Sequence, residues 1–454
     1  MKLSHTSAAT SARFDDPNLV SSAGLVPLLR LAGRCGLDEA AARLTLPGDL
    51  GANPAAKVTS LIAGMAAGAD CIDDVDRLRH GGMARLFTGV RAPSTLGSFL
   101  RGFTFGHVRQ LDRLAGQVLA GLAGHTPLLP DIARVCLVDV DDTVKQVYGY
   151  AKQGAEYGYT HVKGLNAMVG VVSTPTSAPV IAATRLRRGA ATSGHGAATF
   201  VAATVATATR CGADPKTGLV LVRMDSGFYF SDILTAACRG GAKVSVTARQ
   251  TSPVTAAISR IPEQGWTPIS YPNAILDEAT GELISDAEVA ETPFTAFPSL
   301  PADKQHTGRL IVRRVRRLGP AGPAQPGLVE DYRYHAVFTN STLTTLQAEA
   351  LHRGHAIVEQ VIAELKGGPL AHLPSGKFAA NAAWLTLAAL THNLLRGLGA
   401  LASRFHATAR TATVRDHLIS IPARIAVSGR RLTLHLPTGW RWQHPWLALL
   451  TTRT

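Results

Sequence analysis

The stretch Val135-Cys136-Leu137-Val138-Asp139-Val140-Asp141-Asp142 decides how the chain is read. Four apolar residues in a row, following a linker-like segment from Gly121 to Pro130, read as a short buried strand beginning near Arg134. Three carboxylates crowd its end. Side chains alternate along a strand, so Asp139 and Asp141 share one face and Asp142 looks the other way. Working outward, Ala167 to Val172 and Val180 to Thr184 are two more strands, separated by the turn-rich Ser173 to Pro179. His195 to Cys211 is Ala-rich and unbroken, hence a helix. Leu219 to Met224 reads as a strand, Ser231 to Arg239 as a helix and Lys243 to Thr247 as a strand.

The order strand, strand, strand, helix, strand, helix, strand is the plan of a ribonuclease-H-like α/β core, a mixed sheet flanked by helices. That core is expected in two parts, residues 131–250 and 343–405. Between them, residues 251–342 read as a β-rich insertion. Runs such as Arg309 to Val315 and Tyr332 to Thr339 alternate there with Pro- and Gly-rich turns, notably Gly319 to Gly327. Residues 1–130 are expected to be a helical DNA-binding region. Pro27 to Leu31 and Leu37 to Leu44 have helical apolar spacing, and Gly97 to Leu122 reads as one long helix. Residues 406–454 form a tail whose Trp440, Trp442 and Trp446 should pack onto the body.

Composition narrows the partners. Lys and Arg number 46 against 32 Asp and Glu, a net charge of +14, which favours a polyanion and nucleic acid first. A membrane is not expected. Met1 to Pro27 carries Asp15 and Asp16 and lacks the apolar core of a signal peptide. Ala379 to Ala402 is broken by Asn381, His392, Asn393 and Arg396, the pattern of a buried helix rather than a span. The five cysteines are scattered and never form a Cys-x-x-Cys pair, which indicates neither a disulfide framework nor a zinc module and suits a reducing cytoplasm.

A second acid, Asp225, ends the fourth strand in Val222-Arg223-Met224-Asp225-Ser226-Gly227. Parallel strands place their like ends side by side, so an Asp on each can share a pair of metal ions. Divalent cations relieve the repulsion between such carboxylates. Mg2+ takes oxygen ligands and keeps waters, and two ions suit an in-line phosphoryl displacement. Taken singly, a strand-end Asp is as readily a turn or cap residue. Further along, His352, His355, Glu359 and Lys366 are spaced by three, four and seven residues, one face of a continuous helix. Glu364 points elsewhere. This stripe either ligates metal through Glu359 and grips phosphate through Lys366, or is a solvated face.

Several stretches together resemble a known family. They are Phe14-Asp15-Asp16-Pro17-Asn18-Leu19-Val20, Ser94-Thr95-Leu96-Gly97-Ser98-Phe99-Leu100-Arg101, and Asp139-Val140-Asp141-Asp142-Thr143 with Tyr148-Gly149. Met224-Asp225-Ser226-Gly227-Phe228 and His352-Arg353-Gly354-His355 through Glu359 to Lys366 complete the set. The resemblance is to DDE transposases of bacterial insertion sequences, most closely the insertion-sequence 1380 family. It implies binding of terminal inverted repeats, then metal-dependent DNA cleavage and strand transfer by a dimer on DNA in the bacterial cytoplasm. It also implies Asp141, Asp225 and Glu359 as catalytic metal ligands, two Mg2+ ions with Mn2+ as a substitute, and DNA contacts from Lys366, His355, His352 and Arg353. The wider group has Tyr, two residues, Arg, three residues, Glu, six residues, Lys around the third acid. Here His352 and His355 replace the Tyr and Arg, so phosphate contact becomes titratable or passes to Arg353. Asp141 has the family's distance to Gly149, and Asp139 is the alternative first acid.

Other surfaces read as DNA contacts are less specific. Arg309, Arg313, Arg314, Arg316 and Arg317 crowd one strand of the insertion, where they either bind phosphates or guard an edge strand against aggregation. Trp266 either stacks on a flipped base or belongs to the core. Arg30, Arg34, Arg101 and Arg109 are candidates for recognising the element's ends. A ribonuclease-H-like nuclease without strand transfer and an inactive DNA-binding protein are the alternative functions.

Overall fold

The apolar run at Val135 does not stop at its acids. In the computed structural model, which describes residues 4–5, 9–149, 151–277, 282–316 and 332–451, it continues through them to Gln146. The strands are β1 (Leu19–Val20), β2 (Val135–Gln146), β3 (Glu156–Tyr157), β4 (Lys163–Ser173), β5 (Val180–Arg188), β6 (Leu219–Met224) and β7 (Lys243–Thr247). They continue with β8 (Thr267–Asp277), β9 (Glu282–Ala296), β10 (His306–Arg316), β11 (Tyr332–Thr339), β12 (Ala423–Ser428) and β13 (Arg431–His435). The helices before the sheet are α1 (Leu25–Arg34), α2 (Leu37–Ala42), α3 (Pro54–Ala66), α4 (Met83–Leu86), α5 (Pro93–Arg101) and α6 (Phe105–His125). Those that follow are α7 (Ala197–Arg210), α8 (Ser231–Arg239), α9 (Ser252–Ile258), α10 (Thr345–Arg353), α11 (Ile357–Lys366) and α12 (Phe378–Ala402), then α13 (Arg404–Thr408), α14 (Thr411–Val414) and α15 (Gln443–Thr451).

One mixed sheet organises the α/β body. Its order is β3-β4-β2-β6-β7-β11-β10-β9-β8, with β5 also paired to β4. β4 runs antiparallel to both β2 and β5, whereas β2, β6 and β7 run parallel. The parallel strands need helical crossovers, supplied by α7 and α8, and those helices cover the apolar runs that periodicity alone could not orient. The strands between residues 251 and 342 do not stand apart from this sheet. β11 pairs antiparallel with β7, Val337 opposite Thr247, and carries β10, β9 and β8 outward. β10 therefore lies between β9 and β11 and is not an edge strand, contrary to one reading of its arginines.

Helix α12 is apolar nearly all round and buried along almost its full length, as expected of a helix inside a core. It packs against α1, α3, α5 and α6 on one side and β5 on another. Its polar interruptions have internal partners. Asn393 accepts from the Ile181 N–H at 2.8 Å and donates to the Ile181 carbonyl at 2.7 Å, serving β5 where its register slips. Arg396 pairs with Glu364 at 2.9 Å. Among the described residues no helix is long and apolar enough to cross a membrane.

The single helix expected over Gly97 to Leu122 is two. α5 ends at Arg101 and α6 begins after Thr104, whose backbone N–H donates to His107 Nδ1 at 3.1 Å in a capping box. A cap of this kind gives the broken helix a satisfied start, and apolar spacing does not register the break. The tail packs as expected. β12 lies between β1 and β13, pairing Leu19 with Arg424, and the buried Trp446 donates from Nε1 to the Leu418 carbonyl at 3.1 Å.

Trp384, fully buried in α12, donates from Nε1 to the Pro369 carbonyl at 2.6 Å. Trp384→Ala is expected to lower unfolding free energy by about 3–5 kcal/mol in a urea titration. A loss below about 1 kcal/mol would mean that α12 is not the shared core.

Candidate active site

Strand register builds the centre. β2 and β6 pair in parallel with Asp139 opposite Arg223 and Val140 opposite Met224, so the next residue on each strand is an acid, Asp141 and Asp225. Asp225 leaves β6 in extended backbone and caps the turn Ser226–Phe228, its Oδ1 accepting from the Gly227 N–H at 2.9 Å. A Cβ at Gly227 would come within 3.0 Å of that oxygen and of Ser193, so glycine lets turn, carboxylate and neighbouring loop close together. Asp141 Oδ1 accepts from the Asp142 N–H at 2.7 Å.

Both carboxyl groups titrate high. Burial, reinforced by the charge of Asp225, pushes Asp141 up to about 6 against the help of its backbone hydrogen bond. Burial also raises Asp225, although hydrogen bonding from Gly227 opposes it. Among the described residues neither acid forms an ion pair. Two carboxyls side by side, neither in an ion pair among the described residues, are a place where a hard dication would be favoured.

The flanking acids are committed elsewhere. Asp139 is 0% exposed and accepts from Arg223 Nε at 2.7 Å and Nη2 at 2.6 Å, while His355 Nδ1 hydrogen-bonds its Oδ1 at 2.9 Å. Asp142, on the opposite face as alternation requires, pairs with the buried Arg187. Arg187 also donates to Asn166 at 3.0 and 2.8 Å and to the carbonyls of Thr192, Ser193 and His195 at 2.9, 3.2 and 2.8 Å. It thereby fixes the loop that abuts Asp225.

The expectation of one continuous helical face from His352 to Lys366 is corrected. α10 stops at Arg353, Gly354–Ala356 make a tighter turn, and α11 starts at Ile357. His352 faces β7 instead, bonding Ser245 Oγ at 2.9 Å and Thr247 Oγ1 at 3.1 Å. Burial, then the positive neighbours His355, Arg223 and Arg313, push its pKa down to about 3, so it is neutral and spent inside the fold. His355 is drawn in to Asp139. Glu359 is exposed on the first turn of α11, which packs on β2 and β4 and buries Val358, Val361, Ile362 and Leu365. Lys366, at the far end of α11, lies near Asp141 and Lys145; burial and Lys145 lower its pKa while Asp141 raises it. Glu364 is turned away to Arg396 and to the Thr411 N–H at 3.0 Å.

Glu359 does not complete a metal shell with the two Asp residues. Among the described residues the one His, Cys, Asp or Glu trio with ligand atoms within 4.8 Å of one another is Asp70, Cys71 and Asp74. That group is half-exposed and internally bonded, Asp74 accepting from the Asp70 N–H at 3.4 Å and Asp70 pairing with His372 at 3.2 Å. Glu359 instead borders a cleft of about 470 Å³ shared with Glu364, Arg410, Thr411 and Arg415.

The arginine stripe of β10 is largely neutralised. Arg309 pairs with Glu291 at 2.5 Å, and Arg313 reaches Glu349 at 3.7 Å, as Arg353 does at 3.2 Å. Arg314 is buried between Trp266 and Tyr332, 4.3 and 4.4 Å from their rings, and pairs with Glu263 and with Glu288 at 2.6 Å. A phosphate role for Arg314 is thus corrected, because its fork is already filled by two carboxylates. Trp266 packs against the core, the blander of its two readings. Arg316 ends β10 with its side chain undescribed, and Arg317 lies outside the described residues. Arg30, Arg101 and Arg109 are exposed and Arg34 is partly so, Arg109 pairing with Asp112 at 3.1 Å.

Sequence reasoning missed Arg223, Lys145 and Arg187. Arg223 stands two residues before Asp225, on its strand face, but its partner is visible only once β2 and β6 are aligned. Lys145 shares the β2 face of Asp141, beyond the point where the sequence pattern carries the strand.

A family model described as "Transposase DDE domain group 1" matches residues 4–452. No curated protein matches the chain. The match runs from the N-terminal helices through the sheet and its acids into the tail, and the chain belongs to the DDE transposases of domain group 1.

Proposed function

We propose that this transposase is of the insertion-sequence 1380 type. In this reading it binds the terminal inverted repeats of its element and catalyses DNA cleavage and strand transfer through Asp141, Asp225 and Glu359. The observation that carries the reading is the side-by-side emergence of Asp141 and Asp225 from parallel strands, Asp141 half-buried and Asp225 open to solvent, neither ion-paired among the described residues. The run β5-β4-β2-β6-β7, antiparallel on one side of β2 and parallel on the other, supports a ribonuclease-H-like core in residues 131–250 and 343–405. Residues 251–342 extend it, 1–130 carry end recognition, and 406–454 brace it.

The donors present are all carboxylate oxygens, which fits Mg2+, or Mn2+ in its place, better than a softer ion. Asp141, Asp225 and Glu359 would be the residues that hold such ions. When bound, the ions supply an activated hydroxyl and a stabilised leaving oxygen for in-line displacement at phosphorus. Lys366, beside Asp141, offers its ammonium to a phosphate oxygen near the scissile bond. Arg353 and Arg313, both leaning on Glu349, are placed to exchange that carboxylate for a DNA phosphate. Joining two ends requires two active centres, hence a dimer on DNA, in the bacterial cytoplasm at the nucleoid.

With Mg2+ and a labelled fragment carrying the inverted repeats, Asp141→Ala, Asp225→Ala and Glu359→Ala should each slow cleavage by about three orders of magnitude, the several kcal/mol a bound metal supplies. End binding should persist, and full activity in Asp225→Ala would sink the mechanism. Stability separates the two candidates for the first acid. Asp139→Asn breaks a buried ion pair and should cost about 3–5 kcal/mol in urea unfolding. Asp141→Asn removes an uncompensated charge and should leave stability equal or higher. The reverse ranking would make Asp139 the ligand. Lys366→Ala should reduce the slope of log affinity against log salt by about one, and an unchanged slope removes its phosphate contact.

A further inference from the structure

Beneath the two strand-end acids lies a second charged layer for which catalysis needs no ligand. Asp139 and Arg223 are 0% and 2% exposed and face one another at the same register level of β2 and β6, two residues before Asp141 and Asp225. Replacing a buried pair of this kind with apolar side chains is often neutral or stabilising, so its burial is not explained by stability alone. Its reach offers another explanation. Beyond its two bonds to Asp139, Arg223 donates from Nη1 to the Leu351 carbonyl, one of the acceptors left open where α10 ends. A Cβ on Gly354 would come within 2.9 Å of the same Nη1, so the break between α10 and α11 sits directly on the guanidinium. From the other side of the break, His355, 15% exposed, bonds Asp139 at 2.9 Å. Glu359 follows on the first turn of α11, four residues beyond His355.

We propose that Asp139, Arg223 and His355 are positioning residues that hold the helix carrying the third acid in register with the strands carrying the first two. The inference rests on the transposase centre proposed above. The joint is anchored at two points on either side of the helix break, while Glu359 itself stays exposed. Because Glu359 sits on the first turn beyond this joint, anchoring the joint sets where Glu359 lies relative to the acid pair. Carboxylate and guanidinium are suited to this because both are planar and bidentate, which fixes direction as well as distance. The histidine at the position where the wider group has arginine is then explained by reach to Asp139.

The full-length protein tests this in three measurements: Mn2+ binding by electron paramagnetic resonance without DNA, cleavage of the end fragment, and thermal unfolding. The paired variant Asp139→Leu with Arg223→Met should unfold near the temperature of the unaltered protein. It should bind Mn2+ and cleave at least about tenfold more weakly and slowly, the usual effect of losing a group that orients metal ligands. His355→Leu should show the same losses, and His355→Asn, whose amide can still donate to Asp139, should recover most of both. Mn2+ binding and cleavage equal to the unaltered protein in the paired variant would make the layer merely structural. Should that variant not fold, unaltered values in His355→Leu overturn the proposal by themselves. Asp225→Ala is the reference. If it binds Mn2+ as tightly as the unaltered protein, the metal centre is wrong, whatever the positioning residues do.

Discussion

Parallel pairing of β2 with β6 brings Asp139 opposite Arg223 and, two residues on, Asp141 beside Asp225. The two levels are electrostatically unlike. At the lower one a buried carboxylate meets a bidentate guanidinium; at the upper one two carboxyls face each other with burial and mutual repulsion raising Asp141. A chain can afford such a conflict only where the surroundings leave it no escape, and here the surroundings are the sheet itself. Asp142 and Arg187 do on the opposite face what Asp139 and Arg223 do beneath, tying the 192–195 loop against the Asp225 turn. The acid pair is thus held from below and from the side by ion pairs that consume the charges around it.

Much of this was legible in local pattern. α8 and β7 lie within the bounds that apolar spacing and turn residues suggest, Ser231–Arg239 and Lys243–Thr247, and Asp225 falls at the strand end as read. What escaped was whatever depends on partners distant in the chain. β2 runs beyond its acids through Thr143 to Gln146, a continuation that local pattern does not show until β4 is seen to pair with it. The arginines of β10 looked like a phosphate surface because Glu263, Glu288, Glu291 and Glu349 arrive from other segments. His352 seemed to share a face with Glu359 because spacing assumes an unbroken helix, whereas Gly354 is where the helix must yield to Arg223. The strand ends that carry Asp141 and Asp225 were therefore more readable than their surroundings.

The N-terminal helices and the sheet share α12, so a region expected to serve as a separate DNA-binding part is packed into the same apolar core as β2, β4 and β6. Arg30, Arg101 and Arg109 are exposed on helices that touch α12 directly or through a neighbour. A displacement of these helices would be transmitted through a densely packed element rather than through a linker.

The small sheet that unites β1 with β12 has a consequence for timing. Asp16 and Arg424, which pair at 3.1 Å beside it, are 408 residues apart. At roughly 5–20 residues per second of synthesis, β1 waits on the order of 20 to 80 s for its partner strand to leave the ribosome. The opening segment of the chain is thus among the last to be locked. A polypeptide released before β12 would carry Asp141 and Asp225 but not the strand that pairs with β1.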